Sequence, residues 1–229
     1  LFLAAEELNN GHETLDELLE WLAVLRPYRD ALVREGLEVS LNPWITVLHC
    51  DRSRRRKPGQ DWQTMVDGQG RAAEAVVCPL DAGWRTYYRE ALRLFAAEGY
   101  RVIWVEDDVR LANHEPLDWG GCFCPLHVAE FNRRAGVAAT REEIIAAVLQ
   151  PGVPHPWRDL WLDMWDETQT AMVAEWREVV EAGGSRLGLM SSGLEAHSVE
   201  GRHWDRWWQA LAGDQPPIHR PHFTGYNDM

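Results

Sequence analysis

The sequence predicts an α/β fold, in which strands alternate with helices. Short runs rich in β-branched and aliphatic residues, of which Arg101 to Val105 is the clearest, alternate with long amphipathic stretches. Capping boxes begin two of these stretches, at Thr14 and Thr140, and the glycine pair at Gly183 ends another. Strands that are separated by helices usually pair in parallel, so we expect a parallel sheet with helical crossovers.

The predicted elements follow one another along the whole chain. A helix is expected from Thr14 to about Glu35, with a kink at Pro27, and a strand is expected over residues 37–47. Residues 50–70 are polar and predict a loop with a short helical turn near Trp62. The later helices are expected over 84–98, 127–135, from 140, 157–182 and 204–212, and the later strands over 101–105, 186–190 and 218–222.

The length and the strand count fit two architectures. The 229 residues are enough for one sizeable domain, and we expect a single domain over residues 1–229. A (β/α)8 TIM barrel typically needs about 250 residues, so this chain would form a partial barrel that lacks terminal strands. An open, doubly wound sheet fits the same count. No glycine-rich phosphate-binding motif follows a predicted strand, so nucleotide binding has no support.

Charge and composition exclude several classes of partner. The formal net charge is −13, and the only basic run is Arg52, Arg54, Arg55, Arg56 and Lys57. Nucleic-acid binding is therefore not expected. No apolar stretch approaches the roughly 20 residues of a membrane helix, so we expect no membrane partner. Four cysteines do not form a dense disulfide scaffold, which favours a reducing, cytoplasmic location.

Three acidic residues follow the clearest strand, at Glu106, Asp107 and Asp108. Catalytic groups of barrel enzymes lie at the carboxyl ends of strands, and crowded carboxyl groups can raise one pKa enough to give a general acid. We therefore predict that Asp108, Asp107 and Glu106 are catalytic. The alternatives are a metal site or a solvated start of a loop.

Residues at or near other predicted strand ends are candidate contacts for a carbohydrate. The chain contains 13 tryptophans, and flat indole rings stack on the apolar faces of sugars as well as on each other. The same residues would serve as ordinary core or surface-loop residues if no ligand binds. The predicted substrate-binding residues are Trp104, Arg110, Asn113, His114, Glu195, His222 and Tyr226.

A second group of residues has the composition of a metal site. Cys122, Cys124 and His127 form a Cys-x-Cys-x-x-His pattern, and Cys78 lies upstream. Three such ligands, completed by a fourth from a distant loop, would hold a tetrahedral zinc ion. The alternative is a set of buried, reduced cysteines beside an unrelated histidine.

The order of these motifs resembles glycoside hydrolase family 42, the β-galactosidase-like (β/α)8 barrels. The resemblance covers residues 77–143 and implies a barrel fold. It implies that Asp108 takes the place of the acid/base Glu and Asp107 that of the Asn before it. It also implies that Cys78, Cys122, Cys124 and His127 hold a structural zinc, with His in place of the last Cys. The motifs that carry it are Cys78-Pro79, Trp84-Arg85-x-Tyr87, Glu106-Asp107-Asp108, Cys122-x-Cys124 and Phe131.

The predicted function is that of a retaining glycosidase that acts on a glycoside such as a β-galactoside. The family's nucleophile lies on strand seven, beyond the strands counted here, so we expect the fragment alone to be inactive. Relatives often form trimers, so a homo-oligomer is expected. Two other functions remain open: a carbohydrate-binding barrel without catalysis, and a metal-dependent hydrolase that uses Asp107, Asp108 and nearby histidines as ligands.

Overall fold

Helices and two small sheets make up the protein in the computed structural model, which describes residues 1, 3, 11–111, 114–119, 121–191, 193 and 202–221. None of the helices in these ranges has the length and apolar character needed to cross a membrane. The helices are α1 (Leu15–Arg34), α2 (Ala82–Ala97), α3 (Pro125–Ala135), α4 (Arg141–Leu149), α5 (Trp157–Ala182) and α6 (Trp204–Ala212). The strands are β1 (Thr64–Val66), β2 (Ala72–Val77), β3 (Val102–Val105), β4 (Arg186–Met190) and β5 (Ile218–Arg220).

The strands confirm the α/β class, but the prediction of a (β/α)8 barrel is wrong. Among the described residues, β3, β4 and β5 form a three-stranded parallel sheet, while β1 and β2 form a separate antiparallel pair. Over the residues described, the segment predicted as a strand at 37–47 does not form a full strand: it makes an isolated parallel bridge between Leu41 and Ile103, and the chain turns at Trp44, which has a left-handed φ of 68°. Residues 64–77 form an antiparallel hairpin, although the sequence predicted a loop up to residue 70.

The helices agree more closely with the sequence. Both predicted capping boxes are confirmed, because Thr14 and Thr140 each exchange hydrogen bonds with the Glu three residues later. The helix α1 continues through Pro27 to Arg34. The long helix α5 has the predicted bounds of 157–182 and packs against α2, α3, α4 and α6.

Tryptophans on α5 form much of the core. Trp161, Trp165 and Trp176 are all buried, and the first two lie four residues apart, on one face of the helix. Trp176 makes edge-on contacts with Trp84 and Tyr88 of α2, at ring-centroid distances of 6.3 and 4.9 Å. These contacts fix α5 against α2 and hold both helices on the parallel sheet.

The indole of Trp104 lies over a glycine of the neighbouring strand. Trp104 and Gly188 are register partners in the β3–β4 pair. A Cβ atom at Gly188 would lie 2.7 Å from Trp104 Cε3 and 2.9 Å from Val102 Cγ1, closer than real Cβ contacts allow. The absence of a side chain at Gly188 is therefore what lets the indole lie flat on the sheet.

We expect Gly188→Ala to lower the free energy of unfolding by about 1–3 kcal/mol, because the added methyl group overpacks the site under Trp104. Denaturant unfolding of both proteins measures the difference. Gly193→Ala is the matched control, because a Cβ there meets no atom of the described residues within 4 Å. Equal stability of Gly188→Ala and the wild type would show that the indole moves aside without cost.

Candidate functional site

The candidate site lies at the carboxyl edge of the parallel sheet, where β3 ends. Glu106, Asp107 and Asp108 follow the last residue of β3 directly. Since β4 and β5 run parallel to β3, their carboxyl ends lie at the same edge. The three acids differ sharply in their surroundings, and this difference separates their possible roles.

Glu106 is held by an asparagine from the chain segment that borders β3. Its side chain is buried, and its Oε1 accepts a hydrogen bond of 2.5 Å from Asn42 Nδ2. Its Oε2 accepts a longer bond of 3.3 Å from the amide of Asp107. The other side-chain atom of Asn42, Oδ1, accepts the amide of Trp44 at 2.7 Å. Asn42 thus fixes Glu106 and starts the turn that follows.

Asp107 is the most accessible of the three acids. Its side chain is 26% exposed, and its Oδ1 lies 2.7 Å from Nε2 of His49, which is 25% exposed. This distance is typical of a hydrogen bond between a carboxyl group and an imidazole ring. Asp107 therefore combines access to solvent with a titratable partner, which is what a group in proton transfer requires.

Asp108 is fully buried and is bound by the backbone. Its Oδ2 accepts hydrogen bonds of 2.8 Å from the amides of both Thr46 and Leu48. Leu48 has a left-handed φ of 85°, a conformation that costs a non-glycine residue about 1–3 kcal/mol. Hydrogen bonds to a charged group contribute about 1.5–3 kcal/mol each, so the two bonds can offset this strain. The prediction that Asp108 is the acid/base stays untested, and its burial does not favour it.

His49, Glu106 and Asp107 also have the geometry of a possible cation site. One nitrogen of His49 and one carboxylate oxygen from each acid lie within 4.8 Å of one another. The sequence prediction did not include His49 or Asn42. His49 lies just beyond the end of the predicted strand over 37–47, and that position was the signal available for it, whereas Asn42 lies within the predicted strand and has no such signal.

Only some of the other predicted contact residues lie in the part of the chain that the structure describes. Trp104 packs on Gly188, as described above. His114 is 1% exposed, and its ring nitrogens lie 3.2 and 3.0 Å from the carbonyl oxygens of His49 and Arg110. His114 therefore braces the loop after β3 from inside the protein. Four predicted contacts lie outside the described residues: Asn113, Glu195, His222 and Tyr226.

The four predicted metal ligands come together as one buried cluster. Cys78 follows β2, Cys122 and Cys124 precede α3, and His127 lies in the first turn of α3. All four are buried, and their ligand atoms lie within 4.8 Å of one another. Cys78 Sγ lies 3.3 Å from His127 Nδ1 and 3.4 Å from Cys124 Sγ. A tetrahedral zinc ion with normal bond lengths separates its ligand atoms by about 3.5–3.8 Å, so this cluster is compatible with a structural zinc.

Electrostatics and packing around the cluster also fit a cation. Burial, followed by the neighbouring Cys122 and Cys124, raises the pKa of the Cys78 thiol, so this thiol would ionise readily only beside a compensating positive charge such as a metal ion. Phe123, between the two cysteines, stacks on Trp161 of α5 with ring centroids 4.8 Å apart. The cluster therefore joins the end of β2, the start of α3 and the core helix α5.

Comparison with known proteins shows that this fold is distantly similar to a solved structure. No model of a protein family matches the sequence, and no curated protein matches it. The structure is similar to that of the PgaB (BpsB) glycoside hydrolase domain from Bordetella bronchiseptica, with a TM-score of 0.51 and 12% sequence identity. The match covers 83% of this chain and 52% of that one, so this chain spans about half the length of that structure. At this identity, the likeness concerns the fold alone.

The comparisons correct the family predicted from the sequence. They give no support to glycoside hydrolase family 42 or to a β-galactosidase. What they do support is a distant likeness to a glycoside hydrolase domain. The motif order that suggested family 42 spans under a third of the chain, which is too short a stretch to define a family.

We expect the loop after β3 to lose stability as the pH falls from about 6.5 to about 4. Burial, and then the charge of Arg110, lower the pKa of His114 to about 4 in the folded protein. The unfolded chain therefore binds a proton in this range while the folded one does not, which destabilises the fold as the pH decreases. His114→Gln should remove up to about 3 kcal/mol of this dependence. Denaturant unfolding at pH 7 and pH 4.5 measures it, and unchanged pH dependence in the variant would contradict the role of His114.

Proposed function

We propose that this protein hydrolyses glycosidic bonds at the carboxyl edge of its parallel sheet. The observation that carries the proposal is the accessible Asp107, paired with His49 beside Glu106, at the end of a strand in a fold like that of a glycoside hydrolase domain. Polysaccharide and glycoside cleavage needs a carboxylic acid that can donate a proton to the leaving oxygen. Among the three acids that follow β3, Asp107 is the one that combines exposure with a titratable neighbour.

The proposed chemistry assigns different tasks to the acids. Asp107 would protonate the glycosidic oxygen as the bond to the anomeric carbon breaks, and His49 would orient the carboxyl group and exchange its proton. Glu106 would contact a sugar hydroxyl, since Asn42 already fixes its orientation. Glycosidases need a second carboxylate on the other side of the scissile bond. Glu106 and Asp107 present carboxylate oxygens within 4.8 Å of each other, a shorter separation than the distance of about 5–5.5 Å between the carboxyl groups of retaining enzymes, so we propose that another segment supplies it.

A metal-dependent hydrolase is the second candidate function. His49, Glu106 and Asp107 present one nitrogen and two oxygens within 4.8 Å of one another, the ligand types and number that catalytic zinc sites use. A cation held there would supply an activated water molecule. This ligand set differs from the one predicted from the sequence, because His49 and Glu106 take part and Asp108 does not.

We also propose that Cys78, Cys122, Cys124 and His127 hold a structural zinc ion. Four protein ligands leave no open coordination position, which is typical of structural sites. All four residues are buried, so the ion would have no access to substrate. The ion would have a structural role: it would cross-link the segment at Cys122, which ends the loop after β3, to the end of β2.

In the full-length protein, we expect cleavage of at least one nitrophenyl glycoside from a panel of sugars and anomers. Asp107→Asn should lower kcat/KM by about 10²–10⁴-fold, because the amide cannot donate the proton. Asp163→Asn, at an exposed position on α5, is the matched control and should be indistinguishable from the wild type.

Two outcomes would contradict this assignment. Sugar binding without cleavage would favour the carbohydrate-binding alternative. Cleavage that disappears on chelation while the fold remains intact, and that returns with added Zn²⁺ or Mn²⁺, would favour the metal-dependent hydrolase.

We expect one zinc ion per purified chain by elemental analysis. Cys122→Ser should lower the zinc content and reduce Tm by roughly 10 °C, because the buried cluster loses a ligand and then the ion. Cys50→Ser is the matched control, since Cys50 is also buried and reduced but lies outside the cluster. Zinc-free protein with an unchanged Tm would contradict the proposed site.

A further inference from the structure

The segment between Asn42 and His49 forms a strained turn over the end of β3. Trp44 and Leu48 have φ angles of 68° and 85°, which are left-handed values that bulky residues rarely adopt. Thr46 and Leu48 are fully buried, so the turn is enclosed by the protein. Such a conformation persists only where surrounding contacts impose it.

Asp108 supplies two of the contacts that hold this turn, beside the amide of Val77, which donates to the carbonyl oxygen of Val47 at 3.3 Å. A single oxygen, Oδ2, accepts the amides of Thr46 and Leu48, both at 2.8 Å. Asp108 lies about sixty positions further along the chain, so these bonds join the turn to the loop after β3. Both amides point at the same carboxylate, which fixes the backbone on either side of Val47.

The two ends of the turn supply the side chains that hold the other two acids. Asn42, at its start, donates to Glu106, while its Oδ1 accepts the amide of Trp44. His49, at its end, lies 2.7 Å from Asp107. The carbonyl oxygen of His49 is also a contact of His114, which anchors this end from within the protein.

We infer that Asp108 is a positioning residue of the site, which acts through residues 46–48 to hold His49 against Asp107. This inference rests on the proposed role of Asp107 in glycoside cleavage. Asp108 itself neither meets the substrate nor transfers a proton. Its carboxylate keeps the turn in one conformation, and the turn keeps His49 within hydrogen-bond distance of the reacting acid.

Two variants of Asp108 separate positioning from proton transfer. Asp108→Asn keeps a carbonyl oxygen that can accept both amides, although it cannot act as an acid. We expect it to retain kcat/KM to within roughly tenfold, in contrast to Asp107→Asn. Asp108→Leu has a similar size but no acceptor, so it should lose kcat by about 100-fold or more with little change in KM. His49→Gln combined with Asp108→Leu should then add little further loss.

Amide hydrogen exchange gives a readout that does not depend on activity. In the full-length protein, the amides of Thr46 and Leu48 should be strongly protected in the wild type and in Asp108→Asn, and should exchange faster in Asp108→Leu. This comparison tests the positioning role even if no glycoside is cleaved, in which case only the proposed function fails. If Asp108→Leu does not fold, Asp108→Asn alone decides the question.

Either of two results would overturn the inference. A loss of activity in Asp108→Asn as large as that in Asp107→Asn, with both amides still protected, would make Asp108 a catalytic residue. Unchanged protection of Thr46 and Leu48 in a folded Asp108→Leu protein would show that the turn does not depend on the carboxylate.

Discussion

Three consecutive carboxyl groups lie at the end of β3, where like charges would repel one another. The turn over residues 42–49 supplies hydrogen-bonding partners that offset this repulsion, and the rest of the site depends on these contacts. Glu106 is bound by an asparagine side chain, Asp107 by an imidazole and Asp108 by two backbone amides. Each acid has its own kind of partner, and these four donors come from one short segment. Burial increases the cost of an unpartnered charge, so the acid with the most backbone contacts is the most deeply buried one.

The loop that follows the acids is fixed at both of its ends. Near its start, Asp108 binds the turn, and near its end Cys122 and Cys124 join the cluster with Cys78 and His127. Trp161 packs on Phe123 and so couples this end to the core helix α5. A zinc ion in the cluster would therefore stabilise the loop without touching the acids. The three acids and the cluster residues at 122–127 thus lie within about twenty residues of sequence, but the acids would have a chemical role and the cluster a structural one.

Local sequence signals predicted the helices, the capping boxes and the strands β3 and β4, because each depends on neighbouring residues. Closure of the sheet into a barrel depends on distant pairings, and the alternation of elements along the chain does not determine it. The turn at Trp44 was missed because no glycine or asparagine marks its left-handed residue. His49 and Asn42 were missed because their partners lie about sixty residues away. The cysteine cluster was predicted because its ligand types and spacing are themselves informative.

Chemical-shift mapping of the full-length protein with protonated iminosugars tests the central claim most directly. These ligands carry positive charge where the transition state of glycoside cleavage does, so they should bind beside the catalytic carboxylates. We expect saturable chemical-shift changes centred on His49, Asp107 and Glu106, and no change at the amide of Asp163, the control position. Saturable binding that leaves these residues unaffected, with shifts clustered elsewhere on the protein, would contradict the assignment of the active site to this edge of the sheet.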